Sequence, residues 1–448
     1  MYRSHADDGR PSLAVVFDHG AATPTQIGKS LAALAPIQFV IPRSPTARSA
    51  LPLLESYGTV TMLDRALATG SLPRRADGII TFSERMIPQT ALLAQRLGLG
   101  YHSPDCAAGL TDKAVQRERL AAAGVDVVRH RSADSRHALQ EALRFVGLPA
   151  VIKPRHGEGS SHAYPVLRPH DAETIVQHLG ENWPRGPFDD KPVIFVVEEF
   201  LEDVATGPGI GSYVSVETAV ADGRHNHFAI TGNCALVPPF RETGHFWPAA
   251  LEEGLADRIT ALTGRALHAL SVGSGICHTE VKITPTGPRV IEVNGRLGGD
   301  RAELARHATG ADLVAAAGRI ALGQDVALPF QQPHGVHFRY HHQASQGSNT
   351  LLEITGAGDV ERLPGITGYS HVRLPTPTST TTTEYLDCLT GIAADHREMT
   401  ALIRQAGDLL TFSFRREPRG EVVRSRGSEL SFALAVPKSA MSTLRLPS

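Results

Sequence analysis

Residues 278–299 constrain this chain more than any other stretch. They read His278-Thr279-Glu280-Val281-Lys282-Ile283, then Thr284-Pro285-Thr286-Gly287-Pro288, then Arg289-Val290-Ile291-Glu292-Val293-Asn294-Gly295-Arg296-Leu297-Gly298-Gly299. Both flanks alternate polar and apolar, the period of a half-buried strand, and the segment between them is turn chemistry. A hairpin centred on Thr286 sets Glu280 opposite Glu292, His278 opposite Asn294 and Lys282 opposite Val290. Residues two apart share a face. His278, Glu280, Lys282, Glu292 and Asn294 then line one surface, and Val281, Ile283, Ile291 and Val293 face a core. Two carboxylates opposed across a sheet repel each other. A divalent cation removes the repulsion, and two carboxylates with an amide oxygen suit Mg²⁺. A surface hairpin with scattered charges is the other reading of the same residues.

At 448 residues the chain is long for one domain. A formal net charge of -2 gives no electrostatic case for nucleic acid or an anionic membrane as partner. Cys106, Cys234, Cys277 and Cys388 form no CxxC pair. They read as reduced core thiols of a cytoplasmic protein, with Cys277 facing the core by parity. No apolar run approaches the roughly 18 residues of a membrane span. Met1 to Pro11 is polar and lacks a signal-peptide pattern. The 21 histidines are dispersed. Even the group His334, His337, His341 and His342 has no spacing that matches a metal site.

Along the chain, Leu13–Phe17, Ile37–Ile41 and Gly78–Phe82 are apolar runs separated by helical periodicity, which predicts a parallel α/β sheet. Glu84 follows a strand end, where such folds place ligand contacts; a solvated loop carboxylate is the expectation. Ser103-Pro104 starts a helical region carrying Thr111-Asp112-Lys113. The strand Ala150–Lys153 then delivers its lysine into Pro154-Arg155-His156-Gly157-Glu158-Gly159-Ser160-Ser161. Such a loop can turn backbone N–H groups toward phosphate oxygens, with Lys153 adding a point charge. It is neither Walker A nor GxGxxG, and a plain glycine-rich hairpin fits it equally. Pro192–Val197 is apolar throughout, predicting a buried strand, and it empties into Glu198-Glu199-Phe200-Leu201, an edge suited to adenine. Val214–Val220 is a strand carrying Glu217. Phe240-Arg241-Glu242-Thr243-Gly244-His245 reads as a loop, and Leu251–Leu270, Asp300–His307 and Asp312–Leu322 as helices. Beyond Asp325, Val336–Tyr340, Leu351–Ile354 and Leu409–Phe414 read as strands, and Pro375–Thr383 as a connecting loop.

From about Ser103 to Gly323 the ordered set resembles the ATP-grasp carboxylate–amine ligases. It comprises Lys113, Lys153 before the glycine-rich loop, Glu-Glu-Phe-Leu, Ser215-Val216-Glu217, and Glu280 with Glu292-Val293-Asn294-Gly295-Arg296. His278-Thr279-Glu280-Val281-Lys282 and Glu242-Thr243-Gly244-His245 look like the L-amino-acid ligase branch, which forms dipeptides and related amides. The expected architecture is α/β and α+β multidomain. It has an N-terminal parallel α/β domain (12–102), a central ATP-grasp fold (103–325, lid about 130–200) and a mixed, mostly β C-terminal domain (326–437).

The resemblance implies roles residue by residue. Lys113 and Lys153 hold ATP phosphates, and the loop with Gly157, Gly159, Ser160 and Ser161 closes over them. Glu198, Glu199 and Leu201 form the adenine hinge. Glu280, Glu292 and Asn294 hold Mg²⁺, with Mn²⁺ as a substitute. Arg296 stabilises the transferring phosphoryl group, and Glu242 and His245 contact the amino-acid substrate. His245 or His278 takes the amine proton. Tyr213 stands where many relatives carry an acidic residue, which leaves the ribose contacts open. The partners implied are a small carboxylate or amino acid and an amine, without nucleic acid or membrane, and a homodimer is compatible with the branch. A biotin-carboxylase-like or purine-pathway ligase, or a non-catalytic ATP-binding regulator, are the competing readings.

Overall fold

A parallel strand covered on both faces has to be apolar along its whole length. Leu13–Val16 satisfies this, with all four residues buried. It runs parallel to Ile37–Ile41 on one side and Gly78–Thr81 on the other. The edge strand Gly58–Met62 completes the sheet beside Ile37–Ile41. That edge strand escaped the sequence reading because Gly-Thr-Val-Thr-Met is half exposed and lacks an apolar run. The computed structural model describes residues 10–431 apart from 187–190, 222, 327, 329–332, 345–348, 379–384 and 418–419.

Strand order in this first sheet reverses at Leu13–Val16. The crevice beyond the carboxyl ends of the strands at such a point is where open α/β sheets bind ligands. Asp18, His19 and Glu84 follow those ends. Helix Pro24–Leu31 flanks the sheet. Its N-cap Thr23 accepts from Gln26 N and donates its own N–H to Gln26 Oε1, a reciprocal box that starts the helix here. The core over this sheet continues into Leu313, Val314, Ala316, Ala317 and Ile320, so the much later helix Leu313–Ala321 fastens the first sheet to the rest.

The second sheet has eight antiparallel strands. In spatial order they are Gly287–Asn294, Gly275–Thr284, Ile210–Ala221, Arg224–Cys234, Gly244–Trp247, Val336–Tyr340, Asp387–Ala393 and Ile366–His371. Gly244–Trp247 is therefore a strand, where a proline-flanked loop was expected. Four residues with prolines close by show little period, and pairing with Val336–Tyr340 fixes them. Through that pairing one sheet runs across the boundary expected near 325.

A third sheet is antiparallel, in the order His130–Ala133, Phe195–Glu199, Ala150–Pro154, Tyr164–Val166. Helices Arg136–Val146 and Pro169–Glu181 share its core through Leu139, Val146, Ile175 and Leu179. The apolar run before Glu198 forms strand only from Phe195, because Ile194 is 41% exposed. A fourth sheet joins Thr376–Thr378, Asn349–Thr355, Thr411–Arg416 and Glu421–Arg426. Thr376–Thr378 is thus a short strand inside the expected loop, and the loop's residues 379–383 lie outside the described residues. Leu409 ends the helix His396–Leu409 rather than starting a strand. Among the described residues no helix is long and apolar enough to cross a membrane.

Candidate active site

In the hairpin, Glu280 stands opposite Glu292 and His278 opposite Asn294, as the alternation requires. Further along the register slips: Val281 pairs with Val290 and Lys282 with Arg289, not Lys282 with Val290. Ile291 is the extra residue of a β-bulge, which kinks a strand and re-aims its side chains. Ile291 accordingly lines a cleft, and Val290 takes the fully buried place expected for Ile291.

That cleft, about 1130 Å³, gathers residues from across the chain. Lys113, Lys153, Gly157, Gly159, Ser160, Ser161, Glu198, Glu199, Leu201, Glu242, Glu280 and Glu292 all line it. Lys113 is the first residue of helix Lys113–Ala122, whose N-cap Asp112 accepts from Ala114 N and Val115 N. Its Nζ donates to Gly157 O at 2.8 Å and lies 3.2 Å from Glu292 Oε2, tying the glycine-rich loop to the hairpin. Burial opposes the Lys113 ammonium, but Glu292 and Glu84 hold its pKa above the usual lysine value. Lys153, from the third sheet, lies 2.9 Å from Glu198 Oε2. Burial lowers its pKa, with Arg117 adding to the effect against Glu198.

Glu198 sits inside the sheet ladder, paired with His130 and Val151. Its carboxylate takes Arg117 Nε at 3.1 Å and Nη2 at 2.9 Å. Burial resists the charge, yet Arg117 and Lys153 pull its pKa down to about 2. Leu201 lies past the end of the strand. Arg117 also donates to Val290 O and Ile291 O, so it braces the bulge from behind. Sequence reasoning missed it, although Arg117 follows Lys113 by one helical turn and so shares its face.

The loop after Lys153 has non-glycine residues in the left-handed region, Ser160 at φ 49° and His162 at φ 56°. Strain of this kind collects at ligand clamps. Glu158 of the loop reaches Arg85 Nε at 3.2 Å and His19 Nδ1 at 3.7 Å, at the carboxyl end of the first sheet. The loop is therefore docked on two sides.

Among the described residues no group of three or more His, Cys, Asp or Glu side chains is placed to hold a metal ion by itself. A smaller set fits a hard cation. Glu280 and Glu292 are opposed, and Asn294 donates Nδ2–H to Glu292 Oε1 at 3.2 Å, which leaves its carbonyl oxygen as an acceptor. Burial works against the Glu292 charge, but Lys113, Lys153 and Asn294 outweigh it and bring its pKa to about 2. Two carboxylates and an amide oxygen match Mg²⁺ that takes its remaining ligands from phosphates and water.

Asn294, Arg296, His245 and His278 lie off the cleft's lining. Arg296 Nε is 3.0 Å from Glu84 Oε2. Glu84, expected to be solvated, is buried, because the first sheet's switch point closes against residues 295–297. Burial raises its pKa to about 7 even with Arg296 opposing. His278 is joined through Nδ1 to buried Glu217, with Nε2 3.5 Å from Glu280. Burial disfavours its cation, but Glu217 and Glu280 prevail and raise its pKa to about 9. His245 is driven the other way, to about 3, by burial and by Arg301.

Residues 146–303 match the family model for the ATP-grasp domain. The chain carries an ATP-grasp domain. An L-amino acid ligase from Bacillus licheniformis superposes with a TM-score of 0.69 at 20% identity, covering 90% of this chain and 98% of that one. A Sinorhizobium fredii protein, y4rH, is 29% identical over 314 residues, 67% of this chain and 60% of its own length. Chicken carnosine synthase 1 is 26% identical over 281 residues, 57% of this chain and 28% of its own. The chain thus spans less than two thirds of the length of either relative. The matched residues contain Lys153, the glycine-rich loop, the hinge and the whole hairpin, while Lys113 and Glu84 lie before them.

Proposed function

We propose that this ATP-grasp protein is a ligase that joins a carboxylate, that of an amino acid, to an amine through an acyl phosphate. The observation that carries the reading is the single cleft that Lys113, Lys153, the glycine-rich loop, Glu280 and Glu292 share with Glu242. A carboxylate is a poor acyl donor. Attack of its oxygen on the γ-phosphorus of ATP breaks the bond to ADP and makes a mixed anhydride. The amine nitrogen then bonds to the acyl carbon, the bond to phosphate breaks, and the nitrogen loses a proton.

Phosphoryl transfer requires positioning and charge neutralisation rather than a protein nucleophile. Lys113 and Lys153 hold phosphate oxygens, and the loop from Gly157 to Ser161 folds over them and excludes water, to which an acyl phosphate is labile. Leu201 and its neighbours Glu198 and Glu199 form the adenine end. Glu280, Glu292 and Asn294 hold Mg²⁺, or Mn²⁺, which when bound neutralises phosphate charge. Arg296, steadied by Glu84, supplies a fixed cation beside Glu292 and Glu280. Glu242 faces the acid substrate. The amino-acid assignment is supported by the L-amino acid ligase whose fold this chain shares.

The test is ADP release from ATP and Mg²⁺ with pairs of amino acids, with mass spectrometry of the product. ADP, phosphate and a condensed product are expected. AMP and pyrophosphate, or turnover that requires only bicarbonate, would overturn the reading.

A further inference from the structure

Glu217 does not line the ATP cleft, yet it is an acidic residue only 1% exposed, inside the eight-stranded sheet. A charge in such a place needs partners. Strand register supplies them. Across the strands Ile210–Ala221, Gly275–Thr284 and Gly287–Asn294, Glu217 stands opposite His278, and His278 opposite Asn294. Glu280, two residues on from His278, stands between Ser215 and Glu292. These residues share one face of the sheet, so a polar row leads from Glu217 to the carboxylates of the cleft.

Glu217 is the fixed end of that row. Its Oε2 accepts from Gly298 N at 3.4 Å, and Arg301 Nε lies 3.8 Å from Oε1. Arg301 is tied down in turn, its Nη2 donating to Ser215 Oγ at 3.2 Å and to Asn233 Oδ1 at 2.9 Å. Burial opposes the Glu217 charge, but His278 and Arg301 outweigh it and hold its pKa below the usual glutamate value. A Cβ on Gly298 would collide with His278 Nδ1 and come within 2.8 Å of Glu217 Oε1, so the chain crosses this pair only as glycine.

His278 is the link to the cleft. Its Nδ1 is bonded to Glu217, and its Nε2 lies 3.5 Å from Glu280 Oε1. With a carboxylate at each ring nitrogen the imidazole keeps one orientation. It confines the Glu280 side chain, which lines the cleft. A well-packed apolar pair in place of Glu217 and His278 would hold the strands together at little or no loss of stability. A charged group behind a metal ligand fixes where that ligand points.

We propose that Glu217 is a positioning residue: through His278 it sets the Glu280 carboxylate toward the metal ion, without itself touching ion, nucleotide or substrate. The inference rests on the assignment of Glu280 to Mg²⁺ in the ligase reading above.

Glu217→Gln and His278→Gln test it together. Mn²⁺ binding in the presence of a non-hydrolysable ATP analogue, followed by electron paramagnetic resonance, is expected to weaken about tenfold or more in both folded variants. The Mg²⁺ concentration for half-maximal ADP release should rise by a similar factor, with the analogue's affinity in the absence of metal within threefold of wild type. Charge alone acts otherwise: losing the Glu217 anion weakens cation binding, and losing a His278 cation strengthens it. Weakening in both variants therefore reports position. The double variant should bind Mn²⁺ within twofold of the weaker single variant, because the two residues act in one chain. Wild-type Mn²⁺ affinity in either folded variant, tighter binding in His278→Gln, or additive losses overturns the positioning role. Lowered stability with unchanged metal affinity overturns it too. If Glu217→Gln does not fold, His278→Gln carries the test. A wild-type protein that binds no Mn²⁺ with the analogue overturns the metal assignment, and this inference with it. Glu217-dependent Mn²⁺ binding without any condensed product upholds the positioning role and overturns the ligase reading alone.

Discussion

Arg296 Nε lies 3.0 Å from Glu84 Oε2, joining the end of the central hairpin to the carboxyl end of the first sheet. Both side chains are largely buried, at 11% and 8% exposure. Losing one partner of such a pair leaves the other buried without its counter-charge. Arg296→Ala is therefore expected to lose activity and some stability, with Glu84, whose pKa burial has already raised to about 7, taking up a proton once its cation is gone. Adding Glu84→Gln, which mimics that neutral form, is expected to change stability little further and to regain none of the activity. Urea unfolding of both single variants and the double checks this: additive losses would show that the pair does not act as a unit.

Glu292 takes Lys113 on one side and Asn294 on the other. Glu292→Gln keeps the shape and the Asn294 contact, and removes the charge that would bind a cation. The fold is expected to stay intact, with thermal unfolding within a few degrees, while ADP formation falls at least a hundredfold, or about 2.7 kcal/mol in the barrier. Titration with Mg²⁺ and an ATP analogue should show weakened metal-dependent binding. Near wild-type turnover would remove Glu292 from the chemistry.

The opposition of Glu280 and Glu292 was legible in the sequence because strict alternation with a Pro/Gly turn leaves one register. The bulge at Ile291 was not, since a one-residue insertion changes no composition and depends on Arg117 binding Val290 O and Ile291 O from a distant helix. Glu84 was misread for a similar reason. Its local sequence is that of a loop, and its burial comes from Arg296, more than two hundred positions later. The edge strand Gly58–Met62 and the short strand Gly244–Trp247 rest on neighbours rather than on their own pattern. Periodicity reports how a segment meets a core; it does not report which distant side chain completes a charge.

Glu158 holds the glycine-rich loop against the first sheet through Arg85 and His19. Glu158→Ala removes that contact and leaves the Lys113 bond to Gly157 O in place. The loop should open more often. Faster proteolytic nicking within residues 156–162, a several-fold higher KM for ATP and more ATP hydrolysed per product are expected, because water reaches the activated acid. Unchanged proteolysis would show that Lys113 and the His156 contact to Thr111 O hold the loop without Glu158.

His102 gives the stability of the protein an acid limit. Its Nδ1 accepts from Gly273 N at 3.3 Å, so Nε2 carries the proton that meets Gly295 O at 3.2 Å. The neutral ring thus has both nitrogens satisfied, and a second proton would face the Gly273 N–H. Burial lowers its pKa from 6.5 to about 4. The sign follows from linkage: above pH 6.5 the ring is neutral in both folded and unfolded chains, and as pH falls from 6.5 toward 4 only the unfolded chain gains the proton. Stability is therefore fully present above pH 6.5 and declines across that window, by roughly 3 kcal/mol for a shift of this size. Urea unfolding at pH 7.5, 5.5 and 4.5 should show the loss in the wild type. His102→Gln should be less stable at pH 7.5 and should have a shallower slope below pH 6.5. A variant with the wild-type slope would assign the acid limit to other groups, with buried His245 and His227 the next to replace.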